Sequence, residues 1–169
     1  MAKNSIHIKI EGMDAFMKRM EKAGSGLKSE VSGWLEASGM QFLEEVQRMI
    51  ISMGVVDTRR LLNSFDKGGD GNVWQKSFDG LTLTIGTNVE YAKYVNDGHW
   101  TDRKGRPSRF VPGYWSGDKF RYVPGAKTGM VLKLQFVAAR PYFDNAKKTF
   151  QAIFQRSFDS KLQNWVDKI

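Results

Sequence analysis

The sequence has 169 residues, 41% of them apolar and 12% aromatic, with 26 Lys and Arg against 18 Asp and Glu, a formal net charge of +8. That length suits one domain, or a domain with one large insertion, and the apolar content excludes global disorder. No run of about 18 apolar residues is present and there is no cysteine, which excludes a membrane-spanning helix, disulfides, thiol catalysis and cysteine-ligated zinc.

Ser5 to Ile10 alternates, with Ile6, Ile8 and Ile10 on one side and His7 and Lys9 on the other, and is predicted as a half-buried strand. Met13, Phe16, Met17 and Met20 form the stripe of a first helix, which Gly24-Ser25-Gly26 interrupts or joins to the next. From Leu27 to about Ser52, Leu27, Val31, Trp34, Leu35, Phe42, Val46, Met49 and Ile50 recur at helical steps. They define one face of a helix of about 35–40 Å, in which Gly33 and Gly39 offer room for another backbone. Asp57 is placed to cap a short helix over Thr58 to Phe65, and Lys67 to Gly71 reads as a loop. Asn72 to Phe78 and Leu81 to Gly86 read as a hairpin around Asp79-Gly80, a dipeptide that favours a type I′ turn. Asn88 is placed to cap a short helix carrying Tyr91, Ala92, Tyr94 and Val95, with Gly98 at its end. Residues 99–129 are loop-like, and Met130 to Phe136 alternates again as a strand. Pro141 opens a last helix whose stripe is Phe143, Ala146, Phe150, Phe154, Phe158, Leu162, Trp165 and Ile169. The expected fold is α+β: a small, largely antiparallel sheet covered by a long N-terminal helix and a C-terminal helix, with a long basic aromatic loop. Residues 1–169 are expected to form a single domain with an extended loop insertion at about 99–129.

Residues suited to catalysis are sparse. His7 and His99 have no second ligand at metal spacing. Glu44 and Glu45 read as neighbours on the solvated side of the long helix. Asp66, Asp70 and Asp79 flank a glycine-rich stretch that lacks the spacing of a calcium loop or the ending of a P-loop. The expectation is a protein that is not an enzyme and has no metal or cofactor site.

The excess charge is local. Residues 99–139 carry eight basic against two acidic groups, whereas residues 1–98 carry twelve against thirteen. Within 99–123, Arg103, Lys104, Arg106, Arg109, Lys119 and Arg121 interleave with Trp100, Phe110, Tyr114, Trp115, Phe120 and Tyr122. Three readings are open: rings and cations holding a nucleic-acid strand, anchors of a protein interface, or a long hairpin packing its own rings into a satellite core. An irregular connection of this length favours the interface.

Three blocks together resemble the tail-completion (head–tail joining, minor tail) family of tailed bacteriophages. They are Val56-Asp-Thr-Arg-Arg-Leu-Leu-Asn-Ser-Phe65, Ile85-Gly-Thr-Asn-Val-Glu-Tyr-Ala-Lys-Tyr-Val-Asn-Asp-Gly98 and Ala139-Arg-Pro-Tyr-Phe-Asp-Asn-Ala146. The resemblance runs from about Ile6 to Phe158. Arg59 stands where that family usually has glycine, and Asn96 where it commonly has glutamate. The matching positions Asp57, Thr58, Leu61, Ser64, Tyr91, Ala92, Tyr94, Val95, Gly98, Arg140, Pro141 and Phe143 read as scaffold first. Asp57 or Thr58 would cap a helix, Tyr91 to Val95 would fix a helix on the sheet, and Arg140 would pair with a carboxylate.

The resemblance implies a structural virion protein at the neck, present in the host cytoplasm during assembly. It would complete the tail tube as a ring, commonly a hexamer, and dock it to the head-side connector. The implied partners are other copies of the chain, the tail tube protein and the head-completion protein, with contact to DNA in the channel and none with a membrane. A nucleic-acid-binding protein that uses residues 99–123 directly is the alternative.

Overall fold

The computed structural model describes residues 5–12, 18, 24–55, 59–77, 79–102 and 104–167. The expected helix with Met13, Phe16, Met17 and Met20 lies outside them, as do Asp57, Thr58, Phe78, Arg103 and Ile169. The chain divides into two compact units, residues 1–97 with 140–169 and residues 98–139.

In the first unit, β1 (Ile6–Ile10), β2 (Asn72–Lys76) and β3 (Leu83–Thr87) form an antiparallel sheet in the order β1-β3-β2. Ile85 of the central strand stands opposite both Ile8 and Trp74. Leu81, Leu83 and Ile85 are buried, as their alternation requires. Helix α1 (Gly24–Ser52) buries Leu27, Val31, Trp34, Leu35, Phe42, Val46 and Ile50. Gly24, Ser25 and Gly26 belong to this helix. The burial of Leu27 and Val31 just beyond them outweighs a glycine penalty of about 1 kcal/mol each. Gly39 faces the sheet, where a Cβ would lie 2.6–2.9 Å from Leu83, Ile85 and Trp74 side-chain atoms. The space is filled by side chains, not by another backbone, and Gly33 faces open space.

Helix α4 (Tyr142–Val166) packs antiparallel to α1. Trp34 meets the rings of Phe154, Phe158 and Trp165 at centroid distances of 4.9, 5.7 and 5.6 Å and donates its indole N–H to Ser157 Oγ at 2.9 Å. Eight residues further along α1, Phe42 meets Phe143 and Phe150 at 5.4 and 5.2 Å. The aromatic stripe read from the sequence is therefore the seam between the two long helices.

Three local expectations change. The hairpin connection is not a type I′ turn, because Asp79 lacks the positive φ that such a turn needs; among described residues only glycines and Arg59 have one. A longer loop is closed instead by the Ser77 N–H to Thr82 O bond at 2.9 Å, with the Asp79 carboxylate accepting from the Ser77 hydroxyl and the Leu81 N–H. Short polar side chains offer the backbone partners that compete with the tight turn. The helix after Asp57 is one turn, α2 (Arg60–Asn63), entered through Arg59 at φ 59°. The next helix, α3 (Ala92–Asp97), starts too late for Asn88 to cap it, because Thr87 Oγ1 accepts the Val89 N–H and holds the approach.

The second unit is stranded over residues 99–129 as well, where a loop was expected, and not only over the expected strand of Met130 to Phe136. β4 (His99–Trp100) pairs with β8 (Phe136–Val137), while β5 (Ser108–Ser116), β6 (Lys119–Tyr122) and β7 (Gly129–Lys133) form an antiparallel ribbon in the order β6-β5-β7. Proline and glycine in the middle of β5 disguise it. Ser108 to Pro112 pair with β7 and Gly113 to Ser116 with β6, so Pro112, which has no N–H, stands where the partner strand changes.

Candidate docking surface

The ribbon's pairing registers decide which residues share a face. Phe110 stands opposite Val131, Tyr114 opposite Arg121, and Trp115 opposite Phe120, with those last two rings 5.4 Å apart. Tyr122 stands opposite Gly113 and Lys119 opposite Ser116. Trp100, in β4, packs edge-on against Phe136 at 5.3 Å. Trp100, Phe110, Tyr114, Trp115 and Tyr122 are nevertheless each more than half exposed, and only Phe120 of the six expected rings is half-buried. No described residue of this unit belongs to the buried core. The satellite-core reading of these rings is therefore overturned: a thin ribbon has no second layer against which to bury them.

The cations divide by role. Arg106 donates its Nε–H to Asp102 Oδ2 at 2.7 Å, and the Lys104 N–H donates to Asp102 Oδ1 at 2.8 Å. These bonds, the Arg106 guanidinium first, hold the Asp102 carboxyl below the usual aspartate range. Arg106 thus serves a turn as well as the surface. Arg109, Lys119 and Arg121 are exposed on β5 and β6, and among the described residues Lys119, Arg121 and Lys133 form no ion pair. Arg106, Arg109, Phe110 and Tyr122 line an open groove of about 580 Å³. Val131 and Lys133 on β7, and Phe136 and Val137 on β8, are exposed as well. They are missed in the sequence because Met130 to Phe136 reads as an ordinary half-buried strand.

The family-motif positions cluster in the first unit. Leu61 and Phe143 are buried, and Ser64 is buried as the centre of a hydrogen-bond chain. Its hydroxyl donates to Leu61 O at 2.7 Å and accepts from Thr87 Oγ1 at 2.8 Å, while its carbonyl accepts from Asn72 Nδ2 at 3.0 Å. Ala92 is fully buried and its carbonyl accepts the Tyr142 hydroxyl at 3.2 Å; burial pushes that phenol's pKa upward. The Val95 carbonyl accepts the Arg140 N–H at 2.8 Å. Tyr94 and Val95 are half-buried, and Tyr91, the most exposed of the three side chains, accepts the Val95 N–H on its carbonyl at 3.0 Å. Hydrogen bonds of Ala92, Val95 and Asn96 tie α3 to the start of α4.

Among the described residues, Arg140 pairs with no carboxylate. Its Nη1 donates to the Gly54 carbonyl at 3.0 Å, just beyond the C-terminus of α1, where the helix dipole and free carbonyls favour a cation. Pro141 precedes the first residue of α4 and supplies no side-chain cap. Asn96 supplies it from α3: its Oδ1 accepts the Phe143 and Asp144 N–H groups at 3.0 and 3.4 Å, and its Nδ2 donates to the Asp97 and Asp144 carboxylates at 2.7 Å each. Gly98 has φ 73°, and a Cβ there would lie 2.8 Å from the Ala139 nitrogen and the Val137 oxygen. The glycine therefore combines a left-handed turn with contact between the two ends of the second unit.

Glu45 corrects a sequence reading. Glu44 is exposed, but Glu45 is only 3% exposed, pairs with Arg48 through one oxygen, and its Oε1 has no hydrogen-bond partner among the described residues. Among the described residues no group of three or more His, Asp or Glu is placed to hold a metal ion, and no helix is long and apolar enough to cross a membrane.

The sequence family described as "Bacteriophage HK97-gp10, putative tail-component" matches residues 14–98. The chain is 45% identical to the uncharacterised protein YqbI of Bacillus subtilis (strain 168), covering 94% of this chain and 98% of that one. It is 40% identical to the phage-like element PBSX protein XkdI of the same organism, covering 96% of this chain and all of that one. No solved structure matches.

Proposed function

The chain belongs to the HK97-gp10-like family of bacteriophage tail components, and from that premise we propose that it completes the tail at the head–tail junction. Membership of a structural tail family points to a non-enzymatic virion role and to contacts with other phage proteins. The finer reading is a ring whose body is the first unit, closed by heterologous contacts between copies. The strand ribbon of residues 98–139 reaches a neighbouring copy or the tail tube. Its rings act as anchors and its cations steer an acidic partner surface.

The observation that carries this reading is the concentration of exposed rings and unpaired cations on a unit that adds nothing to the core. The test is to replace residues 99–138 by a two-glycine linker. Gly98 and Ala139 already touch, so the linker spans the gap without strain. The expected outcome is a folded protein whose particles contain unjoined heads and tails. Heads and tails joined at the normal level would overturn the docking role.

A further inference from the structure

The ribbon's occupant can be narrowed by charge. Resting on the reading above, we infer that the 98–139 ribbon docks on an acidic surface of a different protein, not on a second copy of this chain. Residues 98–139 carry eight basic and two acidic groups, and one of the two, Asp102, is already taken by Arg106 and the Lys104 N–H. Residues 1–97 with 140–169 carry eighteen basic and sixteen acidic groups. A second copy therefore offers the ribbon a body that is itself slightly basic. Its own ribbon is strongly basic, and like charges brought together across an interface are repelled. Neither unit of a second copy carries the net negative charge that would complement the ribbon, so the ribbon's charge attraction is met by a different polypeptide.

The side chains distinguish a protein from nucleic acid. Phe110 faces Val131 across the strands, and both are more than half exposed. Beside them Tyr114 faces Arg121, and Lys119 and Lys133 lie at the ribbon's two outer strands. An apolar centre containing a β-branched aliphatic, rimmed by cations, is the anatomy of a protein interface. A phosphodiester backbone has no use for Val131, Val123 or Val137, all of them exposed. The partner is accordingly a protein with an apolar pocket for the Phe110 ring and a carboxylate-rich rim.

The test places a photo-crosslinking benzophenone amino acid at Tyr114 in the full chain and irradiates particles assembled by the element that encodes it. The presence of the chain in purified particles is scored first, so that loss of the tail reading is recognised separately. The expected result is an adduct to a different polypeptide, with the linked peptide rich in Asp and Glu. Combining Arg121→Glu with Lys133→Glu should lower the adduct yield about tenfold or more, while Arg121→Lys with Lys133→Arg keeps it. An adduct of two copies of this chain, an adduct to DNA, or no adduct in particles that contain the chain would each overturn the proposal.

Discussion

At the scale of single residues, the two departures from the family pattern have physical accounts. Arg59 holds φ 59°, a left-handed conformation that costs an L-residue about 1–2 kcal/mol and glycine almost nothing. Arg59→Gly should stabilise the protein by about 1 kcal/mol after allowing for glycine's greater freedom in the unfolded chain, read as a raised midpoint in urea. Asn96 must accept from the first turn of α4 and donate to two carboxylates at once. Glutamate could only accept. Asn96→Asp keeps the acceptor, loses both donors and adds a third carboxylate, so stability at neutral pH should fall by about 2–4 kcal/mol; an unchanged unfolding midpoint would sink this account. Asp102 gives a pH dependence. Its folded-state pKa lies below the unfolded value, so the stability it lends is complete above about pH 4 and is lost as the pH falls through the folded value. The amide resonance of Lys104, whose N–H it binds, should shift in that acid window, and in Asp102→Asn it should not.

Among elements, the long helices follow from composition and spacing because a buried apolar stripe repeats with the helix period whatever lies opposite. Trp34, Phe42, Phe143 and Phe150 are core positions in the sequence and in the structure. The distance between helix and sheet was not legible, because it depends on Gly39 and the three side chains over it. Gly39→Ala should cost about 1–2 kcal/mol, because its Cβ must displace the buried Leu83 and Ile85 side chains and the rigid Trp74 ring together, and Gly39→Val should cost about 3 kcal/mol or more. Thermal unfolding of the two variants separates these outcomes. The ribbon was the least legible element. Its strands carry a proline at the exchange of partners and rings that stay in solvent, so the alternation that betrays a strand buried on one face is absent.

For the whole molecule, the core of Leu35, Phe42, Leu83, Ile85, Tyr142 and Trp165 is complete without residues 98–139. Excision of 99–138 should therefore leave a cooperative thermal transition within a few degrees of the intact protein, measured by circular dichroism. A non-cooperative melt would mean that the first unit depends on the second. The same division underlies the proposed roles: the unit with a core would form the ring body, and the ribbon would present its side chains to a partner.

The sequence by itself determined the α+β class, the apolar stripes of the two long helices, the three strands of the first sheet and the phage tail family, but not the order of those strands or the packing of the helices on each other. What it determined follows from local periodicity and from blocks of contiguous residues. It also located the basic aromatic segment. Only the tertiary structure decided that this segment is stranded and that its rings face solvent. It alone placed Arg140 on the Gly54 carbonyl and Asn96 at the start of α4, and it buried Glu45 beside an exposed Glu44. Each of those facts depends on which groups, distant in the chain, meet in space, and a one-dimensional pattern does not carry that information.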